Sequence, residues 1–143
     1  MGPMQHEELS RAIIGCAMIV HRRLGPGFLE SVYQNALAWE LRSAGLSVEC
    51  EHRLNVHYRG VVVGEFMADM IVAGVILVEN KASAALSRSH EAQVMNYLAA
   101  TGLEIGLLIN FGEDRLAFRR KARASHNYNR LRDNSGYGSD NGG

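Results

Sequence analysis

Asp69-Met-Ile-Val-Ala-Gly-Val-Ile-Leu-Val-Glu79-Asn80-Lys81 sets three ionisable groups inside the most apolar part of the chain. Val and Ile dominate the stretch and Ala73-Gly74 interrupts it, which is the pattern of two short buried strands joined by a tight turn. Side chains alternate along a strand, so Glu79 and Lys81 point to one face and Asn80 to the other. A preceding strand paired alongside would bring Asp69 to the same place. An isolated carboxylate there would cost several kcal/mol or give up its charge, so two acids and a lysine imply either mutual neutralisation or a bound cation.

The flanking sequence supplies the rest of the fold. Upstream, Ser47 to Tyr58 alternates imperfectly, with Val48, Cys50, Leu54, Val56 and Tyr58 of like parity. Arg59-Gly60 turns the chain into a returning strand, Val61 to Val72, and Gly74 turns it again into Val75 to Lys81, making an antiparallel meander. Downstream, Leu86 to Thr101 has helical periodicity and Gly102 ends it. Glu104 to Phe111 is a fourth strand, which after a helix can cross over and pair parallel to the third. Arg115 to Arg119 adds an edge strand. Towards the N-terminus, Leu9, Ile13, Cys16, Ala17, Val20 and Leu24 lie on one helical face, Leu24-Gly-Pro-Gly27 breaks that helix, and a second runs from about Phe28 to Ala44. The expected fold is α/β, a restriction-endonuclease-like core in which helices flank a mixed central sheet built from the meander and one crossover strand. We expect one domain over residues 1–124 and a disordered polar tail over 125–143, where almost nothing apolar offsets the entropy of ordering.

Composition narrows the function. The 143 residues are 47% hydrophobic and 21% charged, ordinary for one globular domain, and the formal net charge is zero. No overall positive field draws the protein to nucleic acid, so any phosphate-binding surface must be local. Cys16 and Cys50 lie far apart with no metal-ligand spacing, which fits a reducing cytoplasm. The apolar run Ile13 to Val20 is too short to span a bilayer, and we expect no membrane partner.

The spacing Asp69-x(9)-Glu79-x-Lys81 suits phosphodiester hydrolysis. A phosphodiester repels nucleophiles, so a site must neutralise the phosphate and produce a hydroxide-like attacker. Asp69 and Glu79 can hold a hard divalent ion such as Mg2+, with the Asn80 main-chain carbonyl as a further ligand. Lys81 can then orient a water and offset charge building on the phosphate. The plain alternative is a Glu79–Lys81 salt bridge at a strand end with Asp69 exposed. Glu30, opening the second helix in Gly27-Phe-Leu-Glu30-Ser-Val-Tyr33, is stabilised there by the helix dipole alone. His90, Gln93 and Tyr97 share one stripe of a later helix that can reach the same cleft, or can form a half-buried polar seam.

Together these stretches resemble the GxxExxY proteins of the PD-(D/E)xK nuclease superfamily. The resemblance covers roughly Glu7 to Arg123. It rests on Leu-Gly-Pro-Gly-Phe-Leu-Glu-Ser-Val-Tyr33, Tyr58-Arg-Gly60, Ala-Asp69, Glu79-Asn-Lys81, His90-x-x-Gln93-x-x-x-Tyr97-Leu98 and Leu-Leu-Ile-Asn-Phe-Gly112. It implies a metal-dependent phosphodiesterase site using Mg2+ or Mn2+. Asp69 and Glu79 would be its ligands, Lys81 its lysine, Glu30 an added acid, and Gln93 and Tyr97 a QxxxY motif like that of RecB-like exonucleases. Tyr97, His90, Tyr33 and Arg88 are then the candidate substrate contacts. One departure is Asn80, where the superfamily usually has an apolar residue; its side chain needs a partner behind the sheet. Arg119-Arg-Lys-Ala-Arg123 could grip phosphates but reads better as a solvated strand end, and Trp39 reads as core or subunit interface. The expected function is a nuclease that hydrolyses DNA by means of a metal-activated water, with a homodimer as one way for so small a domain to span a duplex. The rival reading is a catalytically silent module that binds nucleic acid or a protein.

Overall fold

The computed structural model describes residues 6–123, and the tail expected over 125–143 lies outside them. Helix α1 (His6–Leu24) and helix α2 (Glu30–Ser43) precede a hairpin of β1 (Val48–Tyr58) and β2 (Val61–Val72). Strand β3 (Ile76–Lys81), helix α3 (Arg88–Thr101), β4 (Ile105–Asn110) and β5 (Ala117–Ala122) follow. The five strands lie in sequence order, with β3 and β4 parallel and every other pair antiparallel. This is the expected mixed α/β sheet. Among the described residues, no helix is long and apolar enough to cross a membrane.

Burial divides the molecule into three layers. Leu9, Ile13, Ala17 and Val20 of α1 and Leu37 and Leu41 of α2 pack on Met70, Val72, Ile76, Val78, Leu107 and Ile109. On the other face Val94 and Leu98 of α3 meet Ala68, Ile71, Leu77 and Leu108. Gly106 lets α3 settle this closely, because a Cβ there would stand 2.6 Å from Val94 Cγ1. Strand β4 is buried along its whole length, as a parallel strand covered on both faces should be.

Two expectations need correction. The like-parity residues of β1 do not share a face: Val48 and Cys50 pack with the α1–α2 cluster, Leu54 packs with the α3 cluster, and Val56 and Tyr58 are exposed. The break falls at Glu51, whose φ of 55° is left-handed, and it leaves a gap in the ladder between the pairs Cys50–Met70 and His52–Ala68. The edge strand runs Ala117–Ala122 rather than Arg115 to Arg119, so the basic run is itself the strand. Charge on an edge discourages pairing with another chain.

Candidate active site

The irregularity in β1 sits opposite Asp69. Strands β2 and β3 pair regularly at Met70–Val78, Ile71–Leu77 and Val72–Ile76. One step further, side chains replace the ladder: the Asp69 amide donates to Glu79 Oε1 at 3.1 Å, and the Asn80 amide donates to Asp69 Oδ2 at 2.8 Å. Each carboxylate thus satisfies a main-chain N–H freed where the strands part, and the exchange fixes both acids side by side. Glu79 is only 3% exposed. Burial raises its carboxyl, and the neighbouring Asp69 charge raises it further, to about 8. Asp69 is also raised by burial, against the pull of the Asn80 amide.

Lys81 lies on the same face as Glu79, towards α3. Its Nζ donates to Gln93 Oε1 at 3.2 Å, and Gln93 Nε2 donates to the Tyr97 hydroxyl at 2.8 Å. The Tyr97 ring stacks on Phe66 of β2, with centroids 3.9 Å apart. Its phenol is raised by burial and then by the charges of Glu79 and Asp69. The polar stripe of α3 therefore meets the Asp–Glu–Lys group, as the i, i+4 spacing of Gln93 and Tyr97 allows. Glu30, the first residue of α2, feels the same charges: partial burial raises its carboxyl, Lys81 and His90 pull it down, and Asp69 pushes it up.

The remaining candidates are placed less favourably for contact with a substrate. Tyr33, grouped above with the substrate contacts, is fully buried and stacks on Phe111 at 4.8 Å. Its hydroxyl donates to the Gly25 carbonyl and accepts from the Phe28 amide, so it locks the Gly25–Gly27 loop that delivers Glu30. His90 completes a capping box with Ser87: Ser87 Oγ accepts from the His90 amide, and His90 Nδ1 accepts from the Ser87 amide. Arg88 registers on Glu91, together with Lys121 and Arg119, which places it with the charges between α3 and β5. The Asn80 side chain faces the α1–α2 layer, where Nδ2 meets Met70 Sδ at 3.2 Å and Oδ1 finds no protein partner.

Two residues escaped the sequence reading. Glu51 adds a charge that raises Asp69; it holds a strained left-handed conformation with no glycine to signal it. Asn110 was visible only as part of Leu-Leu-Ile-Asn-Phe-Gly112. Fully buried and paired across the sheet with Lys81, it accepts from the Ser83 and Gly112 amides and donates to Ser83 O and Glu113 Oε2.

A family model described as the PD-(D/E)XK nuclease superfamily matches residues 7–121. The chain belongs to that superfamily. No curated protein matches the sequence. Among solved structures, the crystal structure of SSO0001 superposes with a TM-score of 0.54 at 20% identity, covering 73% of this chain and 57% of that one. An alkaline exonuclease, LHK-Exo from Laribacter hongkongensis, superposes with a TM-score of 0.52 at 12% identity, covering 94% of this chain and 78% of that one. The chain thus spans little more than half the length of the first structure. At these identities the likeness is one of fold, and it agrees with the five-stranded mixed sheet.

Proposed function

We propose that this protein is a metal-dependent nuclease that hydrolyses the phosphodiester backbone of DNA at Asp69, Glu79 and Lys81. The observation that carries the reading is the exchange of amide–carboxylate bonds between Asp69, Glu79 and Asn80, which holds two acids beside a lysine that is itself held by Gln93. A salt bridge at a strand end needs no such arrangement.

Among the described residues, no group of three or more His, Cys, Asp or Glu side chains lies close enough to hold a metal ion. The donor set nevertheless fits a hard divalent cation such as Mg2+ or Mn2+, which takes one or two carboxylates, a carbonyl and several waters. Burial, and then the charge of Asp69, raise the Glu79 carboxyl to about 8, and a cation would relieve the repulsion between the two acids. Asp69, Glu79 and the Asn80 carbonyl would hold the ion, and Glu30 would add charge at its edge. Bound there, it would neutralise the scissile phosphate and lower the pKa of a water. Lys81, aimed by Gln93, would orient the attacking water and offset the charge that develops on the phosphate. Tyr97, braced on Phe66, would flank the substrate backbone.

The structural neighbour from Laribacter hongkongensis is an alkaline exonuclease, so oligonucleotides with free ends are the first substrates to try. Incubated with Mg2+ or Mn2+, the wild type is expected to cut labelled DNA and a chelator to stop it. Asp69→Ala and Lys81→Ala should each lower the rate by about 10²–10⁴-fold. Cutting that survives both substitutions assigns the activity to a contaminant. No cutting of DNA or RNA under any of these conditions leaves the silent binding module as the better reading.

A further inference from the structure

A concavity beside β1 takes no part in the chemistry proposed above. It is a groove of about 640 Å3 between α2 and β1, lined by Gln34, Asn35, Trp39 and Arg42 from the helix and by Cys50 and Glu51 from the strand. Asn35, Trp39 and Arg42 stand at i, i+4 and i+7, so one stripe of α2 presents an amide, an indole and a guanidinium in a row. Trp39 is the only tryptophan of the chain and is 66% exposed. It is not part of the core, the first of the two placements, core or subunit interface, expected from sequence. Arg42 is anchored at the wall by an Nη2 bond of 2.9 Å to the Val48 carbonyl. A guanidinium carries five N–H donors, so this bond fixes the group in place and leaves donors for an anion.

The groove and the candidate active site share elements of the fold. Glu51 lines it and is one of the charges that raise Asp69, and Cys50 pairs with Met70, the residue after Asp69. The first residue of α2 is Glu30, so the helix that lines the groove also reaches the acids.

We infer that this groove takes an unpaired nucleotide of the substrate strand, with its base stacked on Trp39 and its phosphate on Arg42. The inference rests on the nuclease reading and narrows the substrate to single-stranded or locally opened nucleic acid. Every base has a π-face, so an exposed indole binds single strands without choosing a sequence, whereas a paired duplex offers no such face in its interior. Gln34 and Asn35 each offer both donors and an acceptor, which suits a base edge of any kind. The volume lies in the range of small-ligand sites, about 300–1,000 Å3. Five polar side chains, those of Gln34, Asn35, Arg42, Ser43 and Glu51, around one aromatic match a nucleotide better than the apolar centre of a protein interface.

The single tryptophan is its own probe. With full-length protein in chelator, so that nothing is cut, an oligothymidylate is expected to quench Trp39 fluorescence saturably, and a blunt hairpin duplex to bind at least ten-fold more weakly. Trp39→Ala should keep the wild-type melting temperature and lose about ten-fold or more in affinity for a dye-labelled strand. Arg42→Gln should lose several-fold and flatten the salt dependence by about 0.7 in log–log slope. Absence of quenching, or equal quenching by the duplex, overturns the inference. So does a blue shift that tracks protein concentration together with dimer formation in sedimentation, which would give the groove to a second copy. Lys81-dependent cutting without quenching sinks the groove alone, and quenching without cutting sinks the nuclease reading alone.

Discussion

Glu79 is buried to 3% exposure and still carries a carboxyl, and the consequence is a stability that depends on pH. Its carboxyl is raised from an ordinary 4.5 to about 8 by burial and then by Asp69. In the unfolded chain it titrates near the ordinary value. The proton is therefore held more tightly in the folded state, and the contribution is fully present below about pH 4.5 and is lost as pH rises through 8. Asp69, raised in the same sense, adds to it. We expect the metal-free protein to lose a few kcal/mol between pH 5 and pH 8, at about 1.4 kcal/mol per pKa unit. Glu79→Gln, which needs no proton, should abolish most of that slope in denaturant titrations at several pH values. Under the metal-site reading proposed above, Mg2+ would compete with the same proton, so its stabilising effect should be larger at pH 8 than at pH 5.5. A flat profile for the wild type would mean that the two acids do not crowd each other as their hydrogen bonds imply.

At the scale of elements, the site exists because β2 and β3 part after three ladder pairs, and because a clasp holds the chain on the far side of Lys81. Asn110 ties Ser83 to Gly112 through both ends of its amide, and the Phe111 amide donates to the Lys81 carbonyl at 2.8 Å. The segment after β3 is thereby fixed to the segment after β4, and with it the start of α3, which carries Gln93. Asn110→Ala should strand the Ser83 and Gly112 amides and cost about 3 kcal/mol. Gly112→Ala should cost about 1–3 kcal/mol, because a Cβ there would overlap the Ser83 carbonyl and amide, backbone atoms that cannot swing aside. Thermal unfolding measures both. The clasp was legible in sequence only as the letters Leu-Leu-Ile-Asn-Phe-Gly112, since nothing local says that an amide on a strand will reach a segment 27 residues away. The Asp69–Lys81 stretch, by contrast, announced both strands and the turn, because alternation and Ala73-Gly74 are local signals. The Glu51 distortion was invisible for the opposite reason: left-handed backbone is normally signalled by glycine, and here a glutamate adopts it. That one residue turned the parity of β1 and hid which apolar side chains share a face.

For the molecule as a whole, a net charge of zero is compatible with nucleic-acid binding only if few cations do the work. Several of the described basic residues are engaged with the protein itself. Arg11 pairs with Glu7, Arg53 with Glu65 and Lys121 with Glu91, while Arg123 donates to the Leu103 and Gly102 carbonyls. The run at 119–123 is thus partly spent on holding β5 against α3. Arg42 beside Trp39 and Lys81 beside the acids are then the cations best placed to meet a strand in the cleft. Two phosphate contacts on a single strand give a slope of about −1.4 in log affinity against log salt. Raising salt from about 50 to 200 mM should accordingly weaken binding only about seven-fold, against the thousand-fold or greater losses of proteins that grip six or more phosphates. Fluorescence titrations across that range read the slope directly. A value of about −2.8, which corresponds to four contacts, would fit exposed Arg119 and Arg120 joining the interface, and would extend the binding surface from the α2–β1 groove to the opposite edge of the sheet.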